Sequence, residues 1–425
     1  MAMRALSRRT FLRGLAGGAA LSLLPWRLSA AAEPIIIGHQ ADLTGVAAIF
    51  GFWNDRAARA ATDRINNELG GIAGRPVKLV TRDTQSSANT GINAFRRLVL
   101  EDGAQFVLGT IMAEIAKPTA PLAQQFKAPY FPSDDVPATP NDPPGTNNRY
   151  VFRLGHNTRI KAQVSHQWAL NKLGKRWTFL SSDGSWGRSQ LTYFRPFIER
   201  AGGQILATIF GPIGTQDFLP LFNQVDLAHT EVLYSSFFGS DAVKFFGQAK
   251  GLGIFKRVKS FSSLGIIEGL ATEPLAEVLA GAAFVSEFPR RMEEIPQALK
   301  VFNAELRRRV GVDDEGHQIG GPNTITGEHY FVPWENLYIL KRGIEASGWQ
   351  GPGDTPALIE TLEGMSFQAS LDFPTGDFFI RPQDHRAFRD YFIEQVQSGK
   401  LYVVAHFPKE QGLYPPPIDL TQMGF

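Results

Sequence analysis

Two adjacent carboxylates, Asp134 and Asp135, follow a short apolar strand (Ala128–Phe131) and sit in a polar loop entered at Pro132-Ser133. Such a pair can share a proton as general acid and base, or accept charge-assisted hydrogen bonds from an ammonium, amide or hydroxyl group. Cleavage of a glycosidic bond needs the two groups on opposite faces of that bond, which neighbouring loop residues rarely reach. A solvated loop or a helix cap is the plain alternative, since Asp is mostly exposed. Just upstream a helix runs from about Ala113 to Phe126, with its N-terminus at Ile111–Glu114. The first amides of a helix are unpaired and partly positive. Other chemistry lacks a motif. There is no Gly-x-Ser-x-Gly, no Gly-x4-Gly-Lys-Ser/Thr and no His-Glu-x-x-His. The eight histidines lack metal-ligand spacing, and cysteine is absent, which excludes disulfides and thiolate metal sites. These residues point to binding, with no cofactor and no covalent step.

The elements that must position these loops alternate strand and helix. Strands are expected at Pro34–Gly38, Val77–Thr81, Gln105–Leu108 and Ala128–Phe131, and helices at Gly51–Leu69, Ala88–Leu100 and Ala113–Phe126. Ala57, Ala58, Ala61 and Ile65 recur at helical spacing in the first helix, and Ile92, Phe95 and Leu98 in the second. Successive βα units imply a parallel, doubly wound sheet with right-handed crossovers. In such sheets ligands bind beyond the carboxyl ends of the strands. After the loop Asn141–Asn148 a strand at Arg149–Leu154 restarts the pattern. It continues as helix Thr158–Leu173, strand Arg176–Ser181, helix Trp186–Ala201, strand Gln204–Phe210, helix Phe218–Val225, strand Val232–Ser235, helix Asp241–Lys250 and strand Val258–Ser262. Beyond Ala282–Val285 come helices at Ile295–Val310, Gly327–Ser347 and Pro356–Leu362. Gly376–Ile380 and Leu401–Ala405 read as a terminal hairpin, with Arg381–Ala387 an exposed loop between them. The fold class is α/β: two doubly wound lobes, with a chain that crosses between them.

The N-terminus carries its own message. Ser7-Arg8-Arg9-Thr10-Phe11-Leu12-Arg13 is a twin-arginine export pattern, followed by the weakly apolar Leu15–Leu24 and the small residues Ser29-Ala30-Ala31-Ala32. Removal of residues 1–32 leaves 393 of the 425. Arg4, Arg8, Arg9, Arg13 and Arg27 go with them, so the 43 basic residues fall to 38 against 41 acidic ones. That balance implies neither nucleic acid nor an anionic membrane surface as a partner. No other apolar run reaches the ~18 residues that a membrane span needs, and no cysteine follows the signal to carry a lipid. A soluble protein of the Gram-negative periplasm is expected, reached through the twin-arginine translocase. A mature chain of this length exceeds one ordinary core.

The order of short motifs is informative. Ile37-Gly38 precedes Asp42-Leu43-Thr44-Gly45, then come Asn66-Asn67-Glu68-Leu69-Gly70-Gly71-Ile72-Ala73-Gly74-Arg75-Pro76 and Arg82-Asp83-Thr84-Gln85. Gly109, Ala128-Pro129-Tyr130-Phe131, Ser185-Trp186-Gly187-Arg188 and Gly211–Phe218 follow. From Ile35 to about Phe407 the chain resembles the type I periplasmic solute-binding proteins of ABC transporters, in the branch that includes the leucine/isoleucine/valine-binding proteins. The resemblance implies two lobes joined by three crossings, near Leu154, Glu287 and Ser370. Lobe one would be 33–154 plus 288–368, and lobe two 155–287 plus 369–425. It also implies a monomer that closes on a small molecule and docks on an ABC permease.

By resemblance the pocket falls at Phe50-Gly51, at Thr110–Ala113 (with Met112), at Asp134 and Asp135, at Trp186, at Phe237-Phe238, at Leu264 and at Trp334. Thr110–Ala113 is the segment whose amides and hydroxyl hold a ligand carboxylate in the family, although Ala113 stands where the amino-acid binders have a serine. Leu264 stands where they have the glutamate that pairs with the ammonium group, so Asp134 or Asp135 would replace it. Trp186 and Trp334 each have core packing as the alternative reading. Such a pocket suits a medium-sized apolar or aromatic ligand with a carboxylate or amide better than a short branched amino acid. Three functions follow in order: import of an amino acid or related carboxylate or amide; binding of aromatic acids or urea-like compounds, or service as a periplasmic sensor; and a periplasmic hydrolase.

Overall fold

The computed structural model describes residues 32–133, 139–263, 279–288, 297–313, 316–325 and 330–425. The export segment lies outside the described residues, as do Asp134, Asp135 and Leu264. The first βα units are β1 (Ile35–Ala41), α1 (Ala48–Glu68), β2 (Val77–Asp83), α2 (Ala88–Leu100), β3 (Phe106–Gly109), α3 (Ala113–Phe126) and β4 (Tyr130–Phe131). They make a parallel sheet in the order β2-β1-β3-β4. Helix α1 turns Ala57, Ala58, Ala61 and Ile65 into the core, as their spacing predicts. Arg149–Leu154 does not form a regular strand. It makes isolated bridges only, Val151 to Tyr130 and Arg153 to Arg386, as it leaves the sheet.

A second set follows: α4 (Thr158–Lys172), β5 (Arg176–Ser182), α5 (Ser185–Arg200), β6 (Gln204–Gly211), the single turn α6 (Leu219–Phe222), β7 (Val232–Ser236), α7 (Gly239–Gly251), β8 (Lys259–Ser262) and β9 (Ala283–Ser286). The helix expected over Phe218–Val225 shrinks to α6, where Phe218 and Phe222 are anchored in a cluster with Phe237 and Phe245. After α8 (Gln297–Val310), α9 (Phe331–Ser347) and α10 (Thr355–Leu362) come β10 (Ser366–Phe367), β11 (Phe378–Arg381), β12 (Arg386–Phe388), β13 (Tyr391–Gln397) and β14 (Lys400–Phe407). The second sheet has seven strands in the order β14-β13-β9-β8-β7-β5-β6, parallel from β9 to β6 and closed by the antiparallel β13 and β14.

The expected terminal hairpin is corrected. β11 pairs with β12, and β14 pairs with β13, in separate sheets. The segment between, Arg381–Ala387, is largely buried: Arg381 binds both oxygens of Asp384 (2.8 and 2.6 Å), and His385 stacks on Phe152 at 4.4 Å. A buried charge is tolerable when paired in this way.

Among the described, fully buried residues, core membership changes three times along the chain. Leu154 lies in the core of the first sheet and Ile160 in that of the second; Val285 is in the second and Phe288 in the first; Ala387 is in the first and Phe388 in the second. Phe373, Phe378 and Ile380 pack in the first core, and Phe379 between them packs against the second. Arg389 ties this region together, donating to Glu335 (2.7 Å), Thr375 (3.0 Å) and the Leu154 carbonyl (3.0 Å). Among the described residues no helix is long and apolar enough to cross a membrane.

Candidate functional site

The loops at the carboxyl ends of the first sheet are built around two acids. Asp83 accepts from the amides of Leu43 (2.9 Å) and Thr44 (3.2 Å) and from the Thr44 hydroxyl (2.7 Å). Asp42 is buried and accepts from the hydroxyls of Thr84 and Thr110 and from the Ile111 amide at 2.9 Å. Burial pushes the Asp42 carboxyl up from its ordinary value, against these hydrogen bonds, which pull it down. The motif residues Asp42, Thr44, Asp83 and Thr84 are thus the scaffold that ties the first loop to the start of α3.

Helix α1 can approach that scaffold because it carries Gly51. A Cβ there would lie 2.0 Å from the Asp42 carbonyl oxygen. Gly187 has the matching position in the second lobe, where a Cβ would stand 2.0 Å from the Ser182 carbonyl oxygen. Each glycine lets the helix after the first strand of its lobe close on the end of that strand.

Between the carboxyl ends of the two sheets lies a narrow cavity, partly open to solvent. Phe50, Ile111, Met112 and Glu114 line it from lobe one. His156, Thr158, Lys161, Trp186, Phe238 and Ser263 line it from the other side. The apolar part is a cluster of Ala47, Phe50, Ile111, Met112 and Ile115 on which Phe238 packs from lobe two. Trp186 meets Phe238 edge to face, with ring centroids 5.9 Å apart.

The polar part is organised by lobe two. Asn157 caps α4 by accepting from the Ile160 amide (2.7 Å), which leaves the first turn, with Thr158 and Lys161, against the cavity. The buried Gln190 donates to Thr158 Oγ1 (3.0 Å) and to the Trp186 carbonyl (3.2 Å), and accepts from Tyr234 (2.7 Å) and from Ser263. Lys161 Nζ donates to the Ser263 carbonyl at 2.7 Å. His156 Nδ1 stands 3.0 Å from Glu287 Oε2. Burial pushes the Glu287 carboxyl up, but His156, Lys161 and Arg389 outweigh it and hold the group below the usual carboxylate range.

Among the described residues, two backbone amides donate across the cleft away from the crossings. The Trp186 amide donates to Glu114 Oε1 at 3.2 Å, and the Ser240 amide to the Val46 carbonyl at 3.2 Å. The lobes are therefore closed on one another. Glu114 lies in the first turn of α3 yet caps the start of α5 on the opposite lobe, where the helix end attracts negative charge.

Of the residues expected from the sequence, Phe50, Met112, Trp186 and Phe238 line the cavity. Five others do not. Gly51 is a packing residue, and the Thr110 hydroxyl is spent on Asp42. Ala113 is the first, buried residue of α3. Phe237 turns into the core against Phe218 at 4.9 Å. Trp334 is buried in lobe one, its Nε1 donating to the Leu371 carbonyl at 2.8 Å. His156, Thr158, Lys161 and Ser263 escaped the sequence reading. Their one signal was His156-Asn157-Thr158, a helix cap directly after the first crossing.

A family model described as "Periplasmic binding protein" matches residues 34–400. Among curated relatives, the Leu/Ile/Val-binding protein homolog 3 of Brucella melitensis biotype 1 is 29% identical over 213 residues, 48% of this chain and 55% of the relative. The chain thus spans about half the length of that relative. Two solved structures share the fold. The solute binding protein of an ABC transporter from Rhodopseudomonas palustris BisB5, in complex with 3,4-dihydroxybenzoic acid, superposes with a TM-score of 0.74 at 19% identity, covering 88% of this chain and 98% of that one. The branched-chain amino acid transporter substrate binding protein LivJ from Streptococcus pneumoniae, in complex with isoleucine, gives 0.73 at 18% identity, covering 88% and 99%. The chain, matched from Pro34 to the first residue of its last strand, belongs to the periplasmic binding protein family.

Proposed function

We propose that the mature chain is the substrate-binding component of an ABC importer, and that it captures an amino acid or a related small carboxylate or amide by closing two lobes on it. One observation carries this reading: the cavity between the two sheets draws its walls from both lobes while backbone contacts clamp its rim. A ligand drives closure only through contacts that it makes in the closed state, so walls from both lobes are required. Docking of the closed form on a membrane permease, as a monomer, completes the cycle.

The twin-arginine segment, cleaved after Ala32, would deliver the chain to the periplasm. Lobe one comprises residues 33–154 and 288–387, and lobe two residues 155–287 and 388–414, with the tail returning so that Phe425 packs on lobe one. No step of the cycle makes or breaks a bond in the ligand.

The aromatic lining favours the second reading, an aromatic or other carboxylic acid in place of an aliphatic amino acid. The two structural neighbours support both, one holding 3,4-dihydroxybenzoic acid and the other isoleucine. A thermal-shift panel of amino acids, amides and aromatic acids tests the proposal. A ligand at 100 times its Kd should add about 2.7 kcal/mol of stability. Absence of a shift with every class, or turnover of a bound compound, would overturn it.

A further inference from the structure

We infer that the cleft takes an aromatic or similarly flat apolar carboxylate without an ammonium group, and that Lys161 and His156 of lobe two hold the carboxylate. This rests on the reading of the chain as a solute-binding protein and narrows its ligand.

Just ahead of α3, two of the donors that the sequence offered to an anion are already taken. The Ile111 amide bonds Asp42 Oδ2 at 2.9 Å, and the Met112 amide bonds Thr110 Oγ1 at 3.1 Å. Two carboxylates, Asp42 and Glu114, also stand at this end, so an incoming anion meets like charge. Lobe two also holds an acid, Glu287, but it sets a buried cation against the cavity. Lys161 is 3% exposed and lines the cavity, with the equally buried His156 in the same wall. Lys161 is anchored on the Ser263 carbonyl and His156 on Glu287, so both are held in place before a ligand arrives. A charge-assisted bond in such a water-poor site is stronger than one at the surface.

An ammonium group, in contrast, meets only carboxylates that already carry a donor among the described residues of the cleft. Asp42 is engaged by Thr84, Thr110 and Ile111, Glu114 by the Trp186 amide, and Glu287 by His156. Between the charged end and lobe one, the edge-to-face pair of Trp186 and Phe238 and the Phe50 ring form a slot suited to a flat apolar body.

Calorimetric titration of the mature protein with benzoate, 4-hydroxybenzoate, benzamide, phenylalanine and leucine tests this. The expected result is that the better of the two acids binds at least about tenfold tighter than benzamide or either amino acid. Lys161→Met should shrink the acid-over-amide ratio to below about threefold, whereas Trp186→Ala should weaken acid and amide alike. A residue that served packing only would not change that ratio. If Lys161→Met fails to fold, the wild-type ratio alone decides. Equal binding of acid and amide, or tightest binding of phenylalanine or leucine, overturns the inference and leaves the solute-binding reading intact. Failure of every compound in the wider panel removes that reading itself.

Discussion

Trp186 shows how one residue can belong to both lobes. Its ring faces Phe238 in the cavity, while its amide holds Glu114 from across the cleft. Aromatic anchors of this type commonly cost at least about 2 kcal/mol on truncation. Trp186→Ala is therefore expected to weaken ligand binding about thirtyfold while the circular dichroism spectrum stays native, with calorimetry as the check. Unchanged affinity would take the ring out of the site. Phe237 and Phe238 show what the sequence could not reveal. Neighbours at a strand end point to opposite sides, and only the packed structure decides that Phe237 joins Phe218 while Phe238 reaches the cavity. His156 and Lys161 were missed for a related reason, since single polar residues gain a role only when a crossing brings them beside another lobe. A second residue-scale expectation concerns pH. Burial raises the Glu363 carboxyl, but His385 and Arg149 outweigh it and hold the group below its ordinary 4.5. Its stabilising effect is thus present above pH 4.5 and is lost as pH falls further. Burial also lowers the His385 imidazole, so acidification below 6.5 works in the same direction. Asp42, raised by burial, works in the opposite one, and comparison of variants cancels it. Melting temperatures of wild type and Glu363→Gln should differ most at neutral pH and converge below pH 4.5; a constant gap would contradict the assignment.

At the scale of elements, the βα pattern was legible because period and punctuation agree. Helix α3 begins and ends where the apolar spacing and flanking turns place it, Ala113–Phe126. The failures came where long-range partners decide. Arg149–Leu154 looks like a strand, yet it leaves the sheet as a crossing, and Arg381–Ala387 looks polar and exposed, yet its charges pair in the interior. The motif Asp42–Gly45 also proved structural: with Asp83 and Thr84 it fixes the loop against which α1 closes through Gly51. Gly51→Ala isolates that approach. In a free helix alanine is favoured over glycine by up to about 1 kcal/mol. Here the new methyl would stand 2.0 Å from a backbone oxygen, and overpacking of this type costs about 1–3 kcal/mol. We expect a lower denaturation midpoint with an unchanged slope; a stabilised variant would show that α1 has room to shift.

For the whole molecule, closure is a balance between crossings that join the lobes and contacts that clamp them. Arg389 holds Leu154, Glu335 and Thr375 at the crossings, whereas Glu114 and the Val46 carbonyl act at the rim. Only the rim contacts depend on closure. A hydrogen bond to a charged group contributes about 1.5–3 kcal/mol at most. Glu114→Ala should therefore weaken ligand affinity by about ten- to hundredfold, by favouring the open form, and leave the melting temperature of the ligand-free protein unchanged. A fall in that melting temperature would assign Glu114 to the fold rather than to closure. The central claim is that two lobes clamp one solute between facing loops. Small-angle scattering tests it most directly, on the mature chain alone and then saturated with whichever compound gives the largest thermal shift. The account predicts a smaller radius of gyration on saturation, and an unchanged radius with the solute bound would contradict it.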